Sequence, residues 1–262
     1  MYGASPGLPA AGGSAAVRWL PDVPAEQTRA VAESLLAQQH RGAHTTVYVA
    51  GAAGRYVVES YSPSGARIQF CGHGALAAAW VVFNEHEPAA NELDFANANR
   101  SWQARRSADP TADIILSYER PNPIACPVPD FVEACLGVRP VAAAEAGSST
   151  DYLILELADA HAVRQLKPDY IGLAGVTERS VIATARTQLD DAPACVFRYF
   201  APQYGNPEDS ATGSAAVQLA AYWHPHLQCA QFTALQLSLR GALVRLTCSG
   251  DKVELAARVG YG

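Results

Sequence analysis

Two stretches of this chain are apolar on every side. Gly74 to Phe83 reads GALAAAWVVF, and Ala211 to Trp223 reads ATGSAAVQLAAYW, with only Thr212, Ser214 and Gln218 clearly polar. Runs rich in Ala and Leu favour helix. A helix without a polar face has to be covered on all sides, either by lipid or by other parts of the protein. The first run is about half the length a bilayer span needs, so the cover must be protein. Each run is surrounded in sequence by strand-like segments, which leads us to expect a helix threaded through a curled sheet, twice.

The strand-like segments are enriched in Val, Ile, Tyr and Thr. They are Ala15 to Pro21, His44 to Ala50, Tyr56 to Tyr61, Arg67 to Phe70, Leu93 to Ala98, Ser101 to Arg105 and Ile114 to Glu119 in the first half. In the second half they are Tyr152 to Leu157, Ser180 to Ala185, Ala194 to Phe200, Thr233 to Arg240, Leu243 to Cys248 and Val253 to Ala257. Further helices are expected at Pro24 to Gln39, Asp130 to Leu136 and Ala158 to Leu166. GAAG, from Gly51, joins two of the strands, and the four prolines of Pro121 to Pro129 mark the crossover between halves.

The richest window is Arg198 to Trp223. A strand ends in a Pro/Gly loop that finishes with Glu208 and Asp209, and the second apolar helix follows. The start of that helix combines N–H donors, a dipole end and an acid. The plain alternative is that Asp209 or Ser210 is only an N-cap. The two halves share the order strand, loop, small residues, apolar helix. Placing Cys71 against Ala211 pairs Gly74-Ala75 with Ser214-Ala215, an offset of 140 residues.

Bulk properties exclude several classes. The chain has 262 residues, 49% apolar and 17% charged, so it has the composition to build a core and is not disordered. A formal charge of −6 gives no basic footprint for nucleic acid. Nothing suggests a membrane partner. The first residues lack the basic region and apolar core of a secretory signal. The six cysteines are scattered without a CxxC pair. Reduced thiols and a cytoplasmic location are therefore expected. His224 and His226 would be a metal pair without a third ligand nearby, and read better as the end of the helix at Pro225; no metal is expected.

Cys71-Gly72-His73-Gly74-Ala75 resembles the CGHATLA-type motif of the phenazine-biosynthesis PhzF-like family. Phe200-Ala201-Pro202, Gly205 and Glu208-Asp209-Ser210-Ala211-Thr212-Gly213-Ser214-Ala215 resemble its FxP…G…EDPATGSA motif. Gly12 to Val17 is similar to a degraded GGNPAAV, and Leu166-Lys167-Pro168-Asp169 with Leu173 matches another landmark. The landmarks fall in family order over most of the chain. The resemblance implies an α+β, diaminopimelate-epimerase-like fold. That fold has two pseudo-symmetric lobes, each a mostly antiparallel β-barrel around a central α-helix, with the site between them. The lobes would comprise residues 1–120 and 121–252, with the chain end, 253–262, returning to the first. It also implies proton transfer without a cofactor, a small carboxylate as substrate or ligand, and a homodimer.

Carried over by position, His73 and Asp209 are the candidate catalytic residues. Gly72, Gly74, Gly213 and Ser214 are the candidate substrate-binding residues, the last two through backbone N–H groups at the helix start. Each has a plain alternative: a structural histidine, a cap, and small residues needed for close packing. Related racemases use two facing cysteines, but Ala211 faces Cys71 here, so Cys71 reads as a buried packing residue. The family's catalytic Glu, in a Ser-Glu-Thr motif, is matched by Ala43-His44-Thr45, which makes His44 the third candidate catalytic residue. The family's GRP-type motif is reduced to Arg240-Gly241-Ala242. Two readings stay open: an isomerase or epimerase, and a catalytically inactive relative that binds a small acid or serves assembly.

Overall fold

The computed structural model describes residues 12–36, 45–109 and 111–260. It is a mixed α/β protein dominated by sheet, and its chain divides into two compact units. One comprises Gly13–Glu119 and the chain from Glu254 onward; the other comprises Arg120–Val253. Each is described by itself.

The first unit holds β1 (Ala15–Trp19), α1 (Thr28–Ser34), β2 (Thr45–Ala52), β3 (Arg55–Tyr61), β4 (Arg67–Ile68), α2 (Gly72–Val81), β5 (Glu92–Ala96), β6 (Ser101–Arg106) and β7 (Ile114–Glu119). β1 pairs parallel with β2 and β3 parallel with β5, while β2–β3, β3–β4, β5–β6 and β6–β7 are antiparallel. The returning chain end is tied to this sheet. Asp113 N–H donates to Ala257 O, and Arg105 and Ser117 both donate to the Glu254 carboxylate.

The second unit holds β8 (Ile124–Cys126), α3 (Phe131–Leu136), β9 (Ala142–Ala146), β10 (Tyr152–Glu156), α4 (Ala160–Gln165), α5 (Tyr170–Val176), β11 (Ser180–Leu189), β12 (Ala192–Ala201), β13 (Asn206–Glu208), α6 (Gly213–Leu227), β14 (Gln231–Gln236) and β15 (Ala242–Ser249). β10–β11 and β12–β14 are parallel; β11–β12, β12–β13 and β14–β15 are antiparallel. The pairing of β10 to β15 repeats that of β1 to β6, with α2 between β4 and β5 matched by α6 between β13 and β14. The second unit adds β8 and β9 beyond β10.

α6 is enclosed over Ser214 to Trp223, and α2 over most of its circumference, with one half-buried face along His73, Ala77, Trp80 and Val81. Ala75, Ala78 and Ala79 of α2 are buried against β1, β2, β3 and β7, and every residue from Ser214 to Trp223 of α6 is buried. Their few polar atoms find partners. Trp223 Nε1 donates to Thr184 Oγ1 at 3.0 Å, Thr184 Oγ1 donates in turn to Val196 O at 2.8 Å, and the Tyr222 hydroxyl donates to Glu156 at 2.6 Å.

Several expectations need correction. The GAAG connection is really a two-residue turn. Ala53 and Gly54, with φ of 52° and 79°, form it, and β2 runs on through Gly51. Asp190-Asp191, both left-handed, make the same kind of turn between β11 and β12, which therefore extend beyond the expected Ser180 to Ala185 and Ala194 to Phe200. The proline-rich crossover contains β8, at the edge of its sheet where flanking prolines remove no ladder bond. β9 and α5 were not expected from composition. The helix expected at Pro24 to Gln39 is a single 3₁₀ turn and the short α1, and its last three residues lie outside the described ones. α6 does not stop at Pro225. It continues to Leu227 and is closed by Gln228 in the left-handed conformation, because a proline in the last turn costs one backbone bond rather than the helix.

Ala78 and Ala220 are fully enclosed, whereas Ala52 is exposed. An unpaired carboxylate buried at either enclosed site costs several kcal/mol out of a total stability of about 5–15 kcal/mol. Ala78→Glu and Ala220→Glu are expected to yield no soluble protein, while Ala52→Glu remains soluble with an unchanged unfolding midpoint. Soluble expression and thermal unfolding of the three variants check this.

Candidate functional site

In the first unit the candidate residues gather where α2 begins. Cys71 is its N-cap residue, in extended conformation, so His73 falls in the first turn, half-buried. The ring has a fixed seat. Its Nε2 is 2.9 Å from the Thr45 hydroxyl at the start of β2, and a Cβ on Gly13 would come within 3.0 Å of its Cγ. Gly13 is thus the residue that lets the chain pass against the imidazole. Gly72 and Gly74 are both buried. Gly74 has a packing reason: a Cβ there would meet Cys71 Sγ and Val47 Cγ2 at 3.0 Å and Ser60 Oγ at 3.2 Å. His44 lies outside the described residues, and its neighbour Thr45 is what meets His73.

In the second unit the Asp209 loop is bound into a compact network. Its carboxylate accepts the Ser210 N–H at 2.8 Å through Oδ1 and the Thr212 hydroxyl at 2.7 Å through Oδ2. Neither Asp209 nor Ser210 is the N-cap of α6; that residue is Thr212, and its side chain does not cap. The loop is anchored by Gln236, at the end of β14 and 1% exposed. Its amide donates to Asp209 O at 2.6 Å and to Thr212 Oγ1 at 3.1 Å, and its carbonyl accepts the Thr212 N–H at 2.6 Å. Ser238 Oγ adds a bond to Ser210 O at 2.7 Å. Gly213 and Ser214 form the first turn of α6, with Ser214 buried.

Glu208, the other acid of the loop, has a structural task. Arg198 grips it with two bonds of 2.7 Å and sends a third, also 2.7 Å, to Leu166 O, while Tyr170 OH donates to it at 3.2 Å. The same pairing holds the Arg198 guanidinium above its ordinary pKa, by the hydrogen bond to Glu208 first, against its burial. The Leu166 to Leu173 landmark belongs here: Asp169 caps α5 through the Gly172 N–H, and a Cβ on Gly172 would come within 2.5 Å of the capping carboxylate.

His73 with Thr45 and Cys71 is therefore one group, in the first unit, and Asp209 with Thr212, Gly213, Ser214 and Gln236 is another, in the second. Sequence reasoning missed Thr45 and Gln236. Thr45 stands next to the residue singled out for the family's Glu. Gln236 had one signal, an amide closing a strand whose preceding Ala234 and Leu235 are core residues. A surface pocket of about 630 Å³, lined by Arg186, Thr187, Gln188, Pro193 and Leu227, includes none of the described candidates. Among the described residues no set of His, Cys, Asp and Glu is placed to hold a metal, and no helix is long and apolar enough to cross a membrane.

The chain matches the family profile of phenazine biosynthesis-like proteins over residues 9–259. It is 32% identical over 240 residues to an uncharacterized isomerase of Pseudomonas aeruginosa, covering 92% of this chain and 85% of that one. Among solved structures, a PhzF-family protein of Enterococcus faecalis superposes with a TM-score of 0.74 at 25% identity, covering 94% of this chain and 89% of that one. A PhzC/PhzF protein of Clostridium difficile superposes with a TM-score of 0.73 at 27% identity, with the same coverage of both chains.

Gln236→Leu removes three hydrogen bonds and leaves the Thr212 N–H and Asp209 C=O without these partners. The expected loss is about 2–4 kcal/mol, read as a lower denaturant midpoint at unchanged m-value.

Proposed function

Because this chain belongs to the PhzC-PhzF family of phenazine biosynthesis-like proteins, we propose that it is a cofactor-independent isomerase or epimerase moving a proton on a small carboxylic acid. The observation that carries the reading is that each unit places a titratable side chain at the N-terminal end of its enclosed helix, His73 at α2 and Asp209 at α6. Proton transfer needs a group that takes a proton and a group that returns one, both near neutral pH. Asp209, His73 and His44 would carry the proton. The backbone N–H groups of Gly213 and Ser214 would hold the substrate carboxylate, since a helix N-terminus offers unpaired donors and a positive dipole end; Gly72 and Gly74 would serve likewise at α2. An imidazole at His44 would replace the carboxylate that the family pattern has there, with an ordinary pKa of about 6.5.

The finer architecture is part of this proposal: residues 1–120 with 253–262, and 121–252, as pseudo-symmetric lobes with each sheet curled as a barrel around its helix. So are a homodimer and a cytoplasmic location. The rival reading is a non-catalytic binder of a small acid, or a protein whose role is assembly. One observation favours it: both carboxylate oxygens of Asp209 already accept a hydrogen bond within their own loop.

A thermal-shift screen of small carboxylates identifies a ligand, because binding to the native state raises its stability with saturation. Deuterium incorporation into that acid in D₂O then decides between the readings. The wild type is expected to exchange one carbon-bound proton, and Asp209→Asn and His73→Asn to slow this by roughly 10²-fold or more. Exchange that survives His44→Ala removes His44 from the mechanism. An acid that binds and never exchanges establishes the non-catalytic reading.

A further inference from the structure

Beside the segment that leads into α2 lies a group of donors with nothing to donate to. Phe70 immediately precedes the N-cap Cys71, and two side chains meet its ring. The Arg100 guanidinium lies 4.1 Å over it, and the Tyr118 ring meets it edge-on at 5.0 Å. Trp102 is the next ring along, 6.3 Å from Tyr118. Tyr118 and Trp102 are 3% and 4% exposed, and Arg100 is half-buried. The Tyr118 hydroxyl, Trp102 Nε1 and Arg100 Nε are all buried, and none of the three has a hydrogen-bond partner among the described residues. We propose that Arg100 and Tyr118, together with Trp102, form a carboxylate-recognition element of the first unit, which holds the acid group of the ligand.

Buried polar groups are nearly always paired, so three unpaired ones within a single aromatic cluster need a reason. All three are donors. An indole and a guanidinium donate and cannot accept. The phenol keeps its proton, because burial holds it far above its ordinary value, so it donates too. The missing partner is therefore an acceptor, and the Arg100 charge makes it an anion. Arg29, Arg67, Arg105, Arg179 and Arg198 are each paired with a glutamate, whereas Arg100 forms no ion pair among the described residues. A planar guanidinium matches a carboxylate with two parallel bonds. The carboxylate then has lone pairs left for a phenol or an indole.

The backbone holds Arg100 in place. Asn97 and Arg100 close the turn between β5 and β6: Asn97 N–H donates to Arg100 O at 2.9 Å, and Arg100 N–H donates to Asn97 Oδ1 at 3.1 Å. The Asn97 side-chain amide donates to Gln69 O at 2.9 Å, which ties the turn to the residue before Phe70. The main chain of Arg100 is thus fixed to the segment that leads into α2. Its guanidinium is held by stacking on Phe70 and by no hydrogen bond among the described residues. It can turn from the ring toward an anion without breaking one. Tyr118 is the last buried residue of β7, a strand that packs on α2. The element therefore adjoins the helix whose first turn carries His73.

The inference rests on the small-acid reading for its ligand, and not on catalysis. Acetate, malonate and benzoate are titrated into the whole protein by isothermal calorimetry, with inorganic phosphate alongside. At least one carboxylate is expected to bind saturably, and Arg100→Gln and Tyr118→Phe each to weaken it by about tenfold or more. Arg100→Lys keeps the charge without the fork and is expected to recover only part of that loss. Tyr118→Phe also reads the ligand-free protein. A buried hydroxyl without a partner adds nothing to stability, so this variant is expected to unfold at or above the wild-type midpoint. A lower midpoint overturns the proposal, since it shows that the phenol has a partner when no ligand is bound. So does carboxylate binding that both variants leave unchanged, an outcome under which the small-acid reading stands. Tighter binding of phosphate overturns the assignment to a carboxylate. No saturable binding of any of the three acids overturns the proposal and leaves the small-acid reading to its own exchange test.

Discussion

Enclosing α2 and α6 is the constraint on which the rest of the structure depends. Each helix lacks a polar face, so its free energy of burial, at roughly 25 cal/mol per Å² of apolar surface, is gained only when strands close over it. Alanine makes that closure possible. The positions of α2 with no exposure, Ala78 and Ala79, are small, and larger groups such as Phe83 and Trp223 appear near the helix ends. The sheets answer with core residues of their own. In the second unit Leu153, Leu155, Val181, Ala183, Val196 and Leu235 form a cluster with Val132, Val163 and Leu173 of α3, α4 and α5, with no residue of α6 in it, while Thr184, between Ala183 and Ala185 on β11, meets Trp223.

A helix enclosed by strands brings a cost at its ends. The first N–H groups have no partner inside the helix and must find one in the loop that leads in. The loop before α6 is held by a dense set of bonds. Gln236 fixes its backbone, Thr212 and Ser210 fix Asp209, and Arg198 fixes Glu208. The loop before α2 is solved differently, with Cys71, His73 and Thr45 in place of amide and carboxylate. Candidate chemistry sits at both helix starts for the same reason: these are the places where a buried apolar framework is forced to keep polar groups together.

This explains what was legible in the sequence. The enclosed helices could be read because an all-round apolar pattern has one physical solution, and the strands beside them because β-branched and aromatic residues cluster there. The repeated connectivity was visible as a repeated order of segments. What escaped was set by tertiary context. β9, Ala142–Ala146, is alanine with one glutamate and has no intrinsic strand preference; it pairs because β8 and β10 flank it. Asp190-Asp191 gave no glycine to announce a turn with both residues left-handed. The motif acids were legible as a pair, but Glu208 and Asp209 have different partners. Only the Arg198 fork at 2.7 Å separates the structural one from the candidate.

The two units share a pattern of strand pairing and differ in what stands at the helix starts. Counted from the helix starts, the N-cap Cys71 of α2 stands where α6 has Thr212, and His73 stands where α6 has Ser214. A duplicated framework with identical ends would present two equal groups, which suits a symmetric exchange between mirror forms through two thiols. Unequal ends suit a different task. An imidazole and a carboxylate differ in ordinary pKa by about two units, so the groups at the two helix starts are unlike in kind. The difference lies in the side chains at the two helix starts, on strands and helices that share their connectivity.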